Sequence, residues 1–217
     1  MSQKIFYVEG NIGSGKSTFC KWIENNFYND VDVVYEPVDQ WTKAVDKDNK
    51  NLLDYFYKDA KRWAYTFQMM AFTSRVEALE KETEKKIRIV DRSIYCDKNV
   101  FAQNCYDSGL FNEIEWKLYK DMYNFIDKRF KYKPTIMIYL KTKPETCVGR
   151  IKKRARSEEC SVPLEYLQQI HKKHEDWLYD SEWHVPVITI NEDEIDYQDA
   201  KKMKKIKDKI IDLFIKA

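Results

Sequence analysis

Three of the chain's five glycines fall within eight residues, Gly10-Asn11-Ile12-Gly13-Ser14-Gly15-Lys16-Ser17. The stretch fits GxxxxGK(S/T), the spacing at which backbone N–H groups wrap around a phosphate. Lys16 would reach the β- and γ-phosphates of a nucleoside triphosphate, Ser17 would ligate Mg2+, and Thr18 completes the set. Glu36 is a carboxylate able to accept a proton from an attacking hydroxyl. Asp91 can hold Mg2+ directly or through water, and Arg92 beside it can offset charge on a transferring phosphoryl group or orient Glu36. The chemistry these residues share is that of a nucleoside triphosphate held with Mg2+ as cofactor, as in kinases, GTPases and motor ATPases; at this length a small-molecule kinase with ATP as phosphoryl donor is the expectation.

An acceptor site is written less plainly. Gln68, Ala71 and Arg75 are spaced three and then four apart, on one face of a helix, with Trp63 and Phe67 nearby. A glutamine amide beside an aromatic ring suits a nucleobase edge, and it suits a buried polar pair between helices equally well. Arg150, Lys152, Lys153, Arg154 and Arg156 form a cationic stretch in which Arg150 and Arg154 share a face. After a strand, such a stretch suits a lid over phosphates.

These residues need a scaffold. Short, continuously apolar runs at 5–8, 31–35, 87–90, 135–140 and 187–190 read as strands. Helical patterns alternate with them: 17–26, 61–85, 93–105, 111–130, 143–156, 163–181 and a Lys-rich tail from 198, with a short amphipathic piece at 52–57. This is an α/β chain with a parallel sheet covered on both faces. Ligands bind beyond the carboxyl ends of such strands, so Glu36 and Asp91-Arg92 converge on the glycine-rich loop. The 217 residues read as one domain, 1–217. A net charge of +2 gives no basis for a nucleic-acid partner, and no NKxD base-reading motif is present. No apolar run approaches the ~18 residues of a membrane span, so no membrane partner is expected. The N-terminus carries no signal pattern, and the five cysteines form no CxxC, which fits free thiols in a reducing, cytoplasmic setting. His171 and His174 are i,i+3 with no cysteine to complete a zinc site, and they read as a solvated helix face.

Taken together the motifs resemble the deoxyribonucleoside kinase family, which includes deoxycytidine, deoxyguanosine and deoxyadenosine kinases. The resemblance runs from residue 5 to about 190. It rests on the loop, Glu36-Pro37-Val38 with Trp41, the stretch from Phe67-Gln68 to Ser74-Arg75, Asp91-Arg92-Ser93-Ile94-Tyr95 with Asp97, and Arg150 to Glu159 followed by Pro163-Leu164-Glu165-Tyr166-Leu167. It implies a P-loop kinase fold, with a five-stranded parallel sheet flanked by helices and an arginine-rich lid. By the same resemblance Glu36 is the general base for a nucleoside 5′-hydroxyl, and Arg92 binds near that hydroxyl. Gln68 pairs with the base, Trp41, Leu53, Phe67 and Ala71 line its pocket, and Phe101 stacks on it. Tyr57 and Glu159 hold the 3′-hydroxyl, Arg150, Arg154 and Arg156 form the lid, and Glu192 belongs to the loop around the donor adenine. A homodimer and feedback inhibition by a deoxynucleoside triphosphate are implied in the same way. One departure is Asp91, where animal members commonly carry glutamate. The shorter side chain shifts its Mg2+ contact toward a bridging water.

Arg75 and Asp97 would form an ionic pair deep in the base pocket. Asp97 accepts from an exocyclic amine, while Arg75 donates to ring nitrogens or a carbonyl. Thymine lacks that amine, and its methyl group needs apolar room. The expected substrates are deoxyadenosine, deoxyguanosine and deoxycytidine, with poor use of thymidine. Two other readings remain: a nucleoside-monophosphate kinase of thymidylate-kinase type, and a regulatory nucleotide-binding protein that turns nothing over.

Overall fold

The computed structural model describes residues 3–43, 45–154 and 162–216. Five strands form one parallel sheet: β1 (Lys4–Glu9), β2 (Val31–Val34), β3 (Ile87–Asp91), β4 (Ile136–Lys141) and β5 (Val187–Asn191). Their order is β2-β3-β1-β4-β5, which places the loop-bearing β1 at the centre. Alternation along β1 serves two cores. Ile5 and Tyr7 join Val90, Met137 and Tyr139 on one face. Phe6 and Val8 join Ile89, Ile138 and Ile190 on the other. Burial on both sides is why the strands read as unbroken apolar runs.

Helix α1 (Lys16–Phe27) and α10 (Ala200–Lys216) cover the second face. The tail lysines lie opposite the buried Met203, Ile206, Ile210 and Leu213, as a solvated helix face should. The other face takes α4 (Ala60–Leu79), α7 (Glu113–Asp127) and α9 (Leu164–Leu178). Two short helices, α2 (Val38–Lys43) and α3 (Leu52–Lys58), pack with α4 into a third aromatic cluster around Trp41, Phe56 and Phe67.

The structure departs from the sequence reading in two elements. The long helix ends at Leu79 and does not continue to 85. The buried Arg88 of β3 explains the stop, because its guanidinium donates to the carbonyls of Leu79 and Lys81 and captures them from further helical bonds. The helix expected over 93–105 is divided into α5 (Ile94–Cys96), a π-helical stretch (Asp97–Ala102) and α6 (Gln103–Asp107). Wide turns of this kind recur at functional sites, and this one carries Asp97 and Phe101. Helix α8 (Pro144–Arg154) closes the set. Arg156 and Glu159 lie outside the described residues.

Candidate active site

The glycine-rich loop between β1 and α1 depends on two positions. Gly10 has φ +147°, and a Cβ there would stand 2.7 Å from the Leu140 carbonyl oxygen. Gly13 has φ +77°, with a Cβ position 2.8 Å from the Cys147 oxygen. Only glycine meets both the backbone angle and the space. Lys16 Nζ donates to the carbonyls of Gly10 and Asn11 at 3.2 and 2.9 Å. Burial and the neighbouring Arg92 pull the Lys16 pKa below its ordinary value. Asn11 Nδ2 donates to the Leu167 oxygen in α9, and Arg150 Nη1 to the Ser14 oxygen. The loop is therefore tied to the helices on either side of the lid segment.

At the carboxyl ends of β2 and β3 the expected convergence is present. Ser17 Oγ donates to Asp91 Oδ2 at 2.6 Å, while the buried Asp91 Oδ1 has no partner. A hydroxyl beside a carboxylate with a spare oxygen is a hard-donor set that fits Mg2+. Burial raises the Asp91 pKa. Glu36 Oε1 accepts from Arg75 Nη2 at 2.7 Å and from Arg92 Nε at 3.1 Å. Burial alone would push this carboxyl up, but Arg75, Arg92 and Lys16 outweigh it and hold the pKa at about 2. Arg75 Nε also donates to both oxygens of Asp97, at 3.0 and 2.9 Å, so the ionic pair inferred from the sequence is formed. Burial pushes the Asp97 carboxyl up to about 6 against the pull of Arg75 and Arg92. Arg92 has φ +71°, a left-handed backbone that costs a non-glycine residue of order 1–3 kcal/mol. Its guanidinium sits 4.6 Å above the Phe101 ring.

One cavity of about 440 Å³ joins the two halves. At one end it is lined by Ile12, Gly13, Gly15, Lys16, Ser17 and Thr18, with Arg150 and Arg154 of α8. At the other end stand Glu36, Arg75, Arg92 and Asp97, then Gln68 and Ala71 of α4, with Trp41, Leu53, Tyr57, Phe67 and Phe101. Gln68 Oε1 and Arg75 Nη1 are buried without hydrogen-bond partners. The aromatic wall is ordered: Phe67 stacks on Phe56 at 4.9 Å and meets Trp41 edge-on at 5.5 Å.

Some expected residues stand apart. Gly10, Asn11 and Ser14 are buried beneath the loop. Trp63 stacks on Tyr55 instead of the cavity. Glu192 accepts from the backbone N–H of Lys143 at 3.1 Å, so it braces the turn after β4. Three lining residues had no sequence-based role: Val38, Phe56 and Tyr166. Phe56 was within reach, since it sits beside Tyr57 in the amphipathic piece at 52–57. The solvated-face reading of the histidines holds for neither partner fully. His174 is fully buried, with Cys96 Sγ 3.5 Å from its Nε2, and His171 is half-buried. The cysteine that meets His174 comes from a distant segment, which spacing does not reveal.

Comparison with known proteins agrees with this geometry. The family model described as deoxynucleoside kinase matches residues 6–216. A fowlpox virus protein named probable deoxycytidine kinase is 39% identical, covering 97% of this chain and 88% of its own length. Deoxycytidine kinase of Homo sapiens is 36% identical over 88% of this chain and 84% of that protein. The mitochondrial deoxyguanosine kinase of Xenopus laevis is 34% identical over 89% of this chain and 83% of that protein. With that match spanning nearly the whole chain, and with a glycine-rich loop, a carboxylate between two arginines and an aromatic-walled acceptor end in one cavity, the chain belongs to the deoxynucleoside kinase family.

Proposed function

We propose that this kinase transfers the γ-phosphoryl group of ATP to the 5′-hydroxyl of deoxyadenosine, deoxyguanosine and deoxycytidine, and uses thymidine poorly. The observation that carries the base preference is the buried Arg75–Asp97 pair beside Gln68, with Arg75 Nη1 and Gln68 Oε1 left without partners. Gln68 Oε1 accepts from an exocyclic amine, while guanidinium and amide N–H groups donate to ring nitrogens. Thymine offers no such amine, and its methyl group would press on a charged pair. Relatives named deoxycytidine kinase and deoxyguanosine kinase support two of these three substrates.

In this reading Glu36 takes the proton of the 5′-hydroxyl. A bound triphosphate brings negative charge beside Lys16 and Arg92, which raises the Glu36 pKa and strengthens it as a base. Arg92 orients Glu36 and offsets charge near the hydroxyl. Tyr57 and Glu159 hold the 3′-hydroxyl, and Arg150, Arg154 and Arg156 close over the phosphates. Ser17 and Asp91 would hold Mg2+, which when bound offsets phosphate charge. The whole chain, 1–217, acts as one cytoplasmic catalytic unit in nucleotide salvage. Among the described residues no helix is long and apolar enough to cross a membrane.

The working form is a homodimer. On α7, Ile114, Leu118, Met122 and Phe125 are 71%, 51%, 42% and 56% exposed at helical spacing, an apolar stripe that a second copy would cover. The product-side regulator is a deoxynucleoside triphosphate, because one such molecule carries both the base and the phosphates that the two ends of the cavity accept. The deciding experiment is a phosphoryl-transfer assay with Mg-ATP against the four deoxynucleosides in parallel. Preference for thymidine would overturn the role given to Arg75 and Asp97.

A further inference from the structure

Arg92 is held by more than Glu36. Its Nη1 donates to Cys96 Sγ at 3.3 Å. Cys96 Sγ lies 3.5 Å from His174 Nε2, and His174 Nδ1 lies 2.8 Å from the Ile170 carbonyl oxygen in α9. A carbonyl oxygen only accepts, so Nδ1 carries the imidazole proton and Nε2 keeps its lone pair. The thiol proton then has two acceptors within reach, Nε2 and the buried, unpartnered carboxylate of Glu9, and a sulfur lone pair is left for Arg92. Each donor in the series meets an acceptor: guanidinium to sulfur, thiol to imidazole or carboxylate, imidazole to backbone.

The partners have little freedom to move. Cys96 and His174 are both fully buried. The His174 ring stacks on Tyr139 at 5.8 Å and takes the edge of Phe101 at 6.4 Å. Phe101 in turn lies beneath the Arg92 guanidinium. The Arg92 backbone is in the left-handed region, so its side chain enters the cavity from a strained start, and the relay fixes its far end.

We propose that Cys96 and His174 are positioning residues for Arg92, a thiol–imidazole relay anchored on α9 that sets the guanidinium so that Nε faces Glu36. The proposal rests on the reading of Glu36 and Arg92 given above. The thiol is suited to this place because it both donates and accepts within one small group. Glu9, Cys96 and His174 also bring potential ligand atoms within 4.8 Å of one another. The relay already occupies the Nε2 lone pair and the thiol, so a bound metal is an alternative that the test must separate.

The test compares Cys96→Ser, which keeps a donor and an acceptor, with Cys96→Val, which keeps the bulk and loses both. Cys96→Val is expected to lower kcat about tenfold, the scale of one hydrogen bond to a charged group. Affinity for an ATP analogue should stay near that of the unaltered protein, Tm should fall by a few degrees as buried donors lose their partner, and Cys96→Ser should restore kcat. In an Arg92→Lys background Cys96→Val should cost little more, because the group it positions is gone. Cys96→Ala gives the same readout should valine fail to pack. Unchanged kcat in Cys96→Val, or an equal loss in Cys96→Ser, would overturn the relay. So would stoichiometric zinc in the purified protein by elemental analysis. If Glu36→Gln and Arg92→Lys both leave transfer intact, the underlying catalytic reading fails instead.

Discussion

Replacing Glu36 by glutamine tests the catalytic reading most directly. Glutamine keeps the shape, and its one oxygen can still accept from both arginines, as Oε1 does, but it has no charge and takes no proton. As a general base Glu36 supplies about 10²–10⁴-fold in rate, roughly 3–5 kcal/mol of barrier at about 1.36 kcal/mol per tenfold. The same substitution has a stability consequence that can be worked out separately. The carboxyl is held down from 4.5 to about 2 by Arg75, Arg92 and Lys16 against the cost of burial. That displacement corresponds to about 3 kcal/mol of favourable interaction with the charged form. Because the folded pKa lies below the unfolded one, the contribution is fully present above about pH 4.5 and is lost as pH falls toward about 2. Glu36→Gln should therefore unfold in urea at lower denaturant near neutral pH, by at most about 3 kcal/mol, and the gap should close in acid. Steady-state kinetics with deoxycytidine and Mg-ATP should show the fall in kcat, with ATP-analogue binding retained by calorimetry. Full phosphoryl transfer by a folded Glu36→Gln protein would refute the assignment of the base. A stability gap that keeps its neutral-pH size at about pH 2 would refute the electrostatic account.

Removing the specificity pair together, Arg75→Met with Asp97→Ala, leaves no unpaired buried charge. The ratio of thymidine to deoxycytidine kcat/KM should rise about tenfold or more in competition assays, and an unchanged ratio would contradict the base-pocket reading. Gly10→Ala forces a Cβ to within 2.7 Å of the Leu140 oxygen at φ +147°. Calorimetry should show ATP-analogue affinity lost by about tenfold or more, given a strain of order 1–3 kcal/mol. Leu118→Glu places a charge in the middle of the α7 stripe. Sedimentation equilibrium should show monomers where the unaltered chain gives dimers, and intact dimers would place the interface elsewhere.

The parts of the site legible in the sequence are those fixed by short-range geometry. The loop is recognisable because phosphate wrapping needs glycine at set intervals, and Gly10 and Gly13 have the positive φ angles that the spacing implies. Glu36 and Asp91-Arg92 were located by one rule about where parallel strands end. What escaped was decided between segments far apart in the chain. The end of α4 depends on Arg88, a strand residue whose guanidinium takes the last helical carbonyls. His174 looks like a surface residue by composition, yet α9 turns it against Cys96 and Tyr139. Phe56 sits in a stretch so rich in aromatics that periodicity does not single out which ring faces the ligand.

The charges around the cavity explain why such costly features are kept together. Lys16, Arg75 and Arg92 face the anions Glu36, Asp91 and Asp97, most of them buried, while burial pushes the carboxyl of the neighbouring Glu9 up to about 7, so that it adds at most part of a charge. Every one of the anions except Asp91 is held by a guanidinium, and Asp91 is held by Ser17 and attracted by Lys16. The site is thus close to neutral before any ligand arrives, which keeps the burial affordable. A triphosphate with its Mg2+ still carries net negative charge, so binding upsets that balance. On the proposed reading the compensation comes from α8, where Arg150 and Arg154 line the same cavity from an exposed helix. Permanent neutrality in the acceptor half and added positive charge from the exposed half give a physical reason for separating the two sets of arginines. On that reading the buried ones orient Glu36 and the base whether or not a donor is bound, while the exposed ones add their positive charge beside the phosphates when these are present.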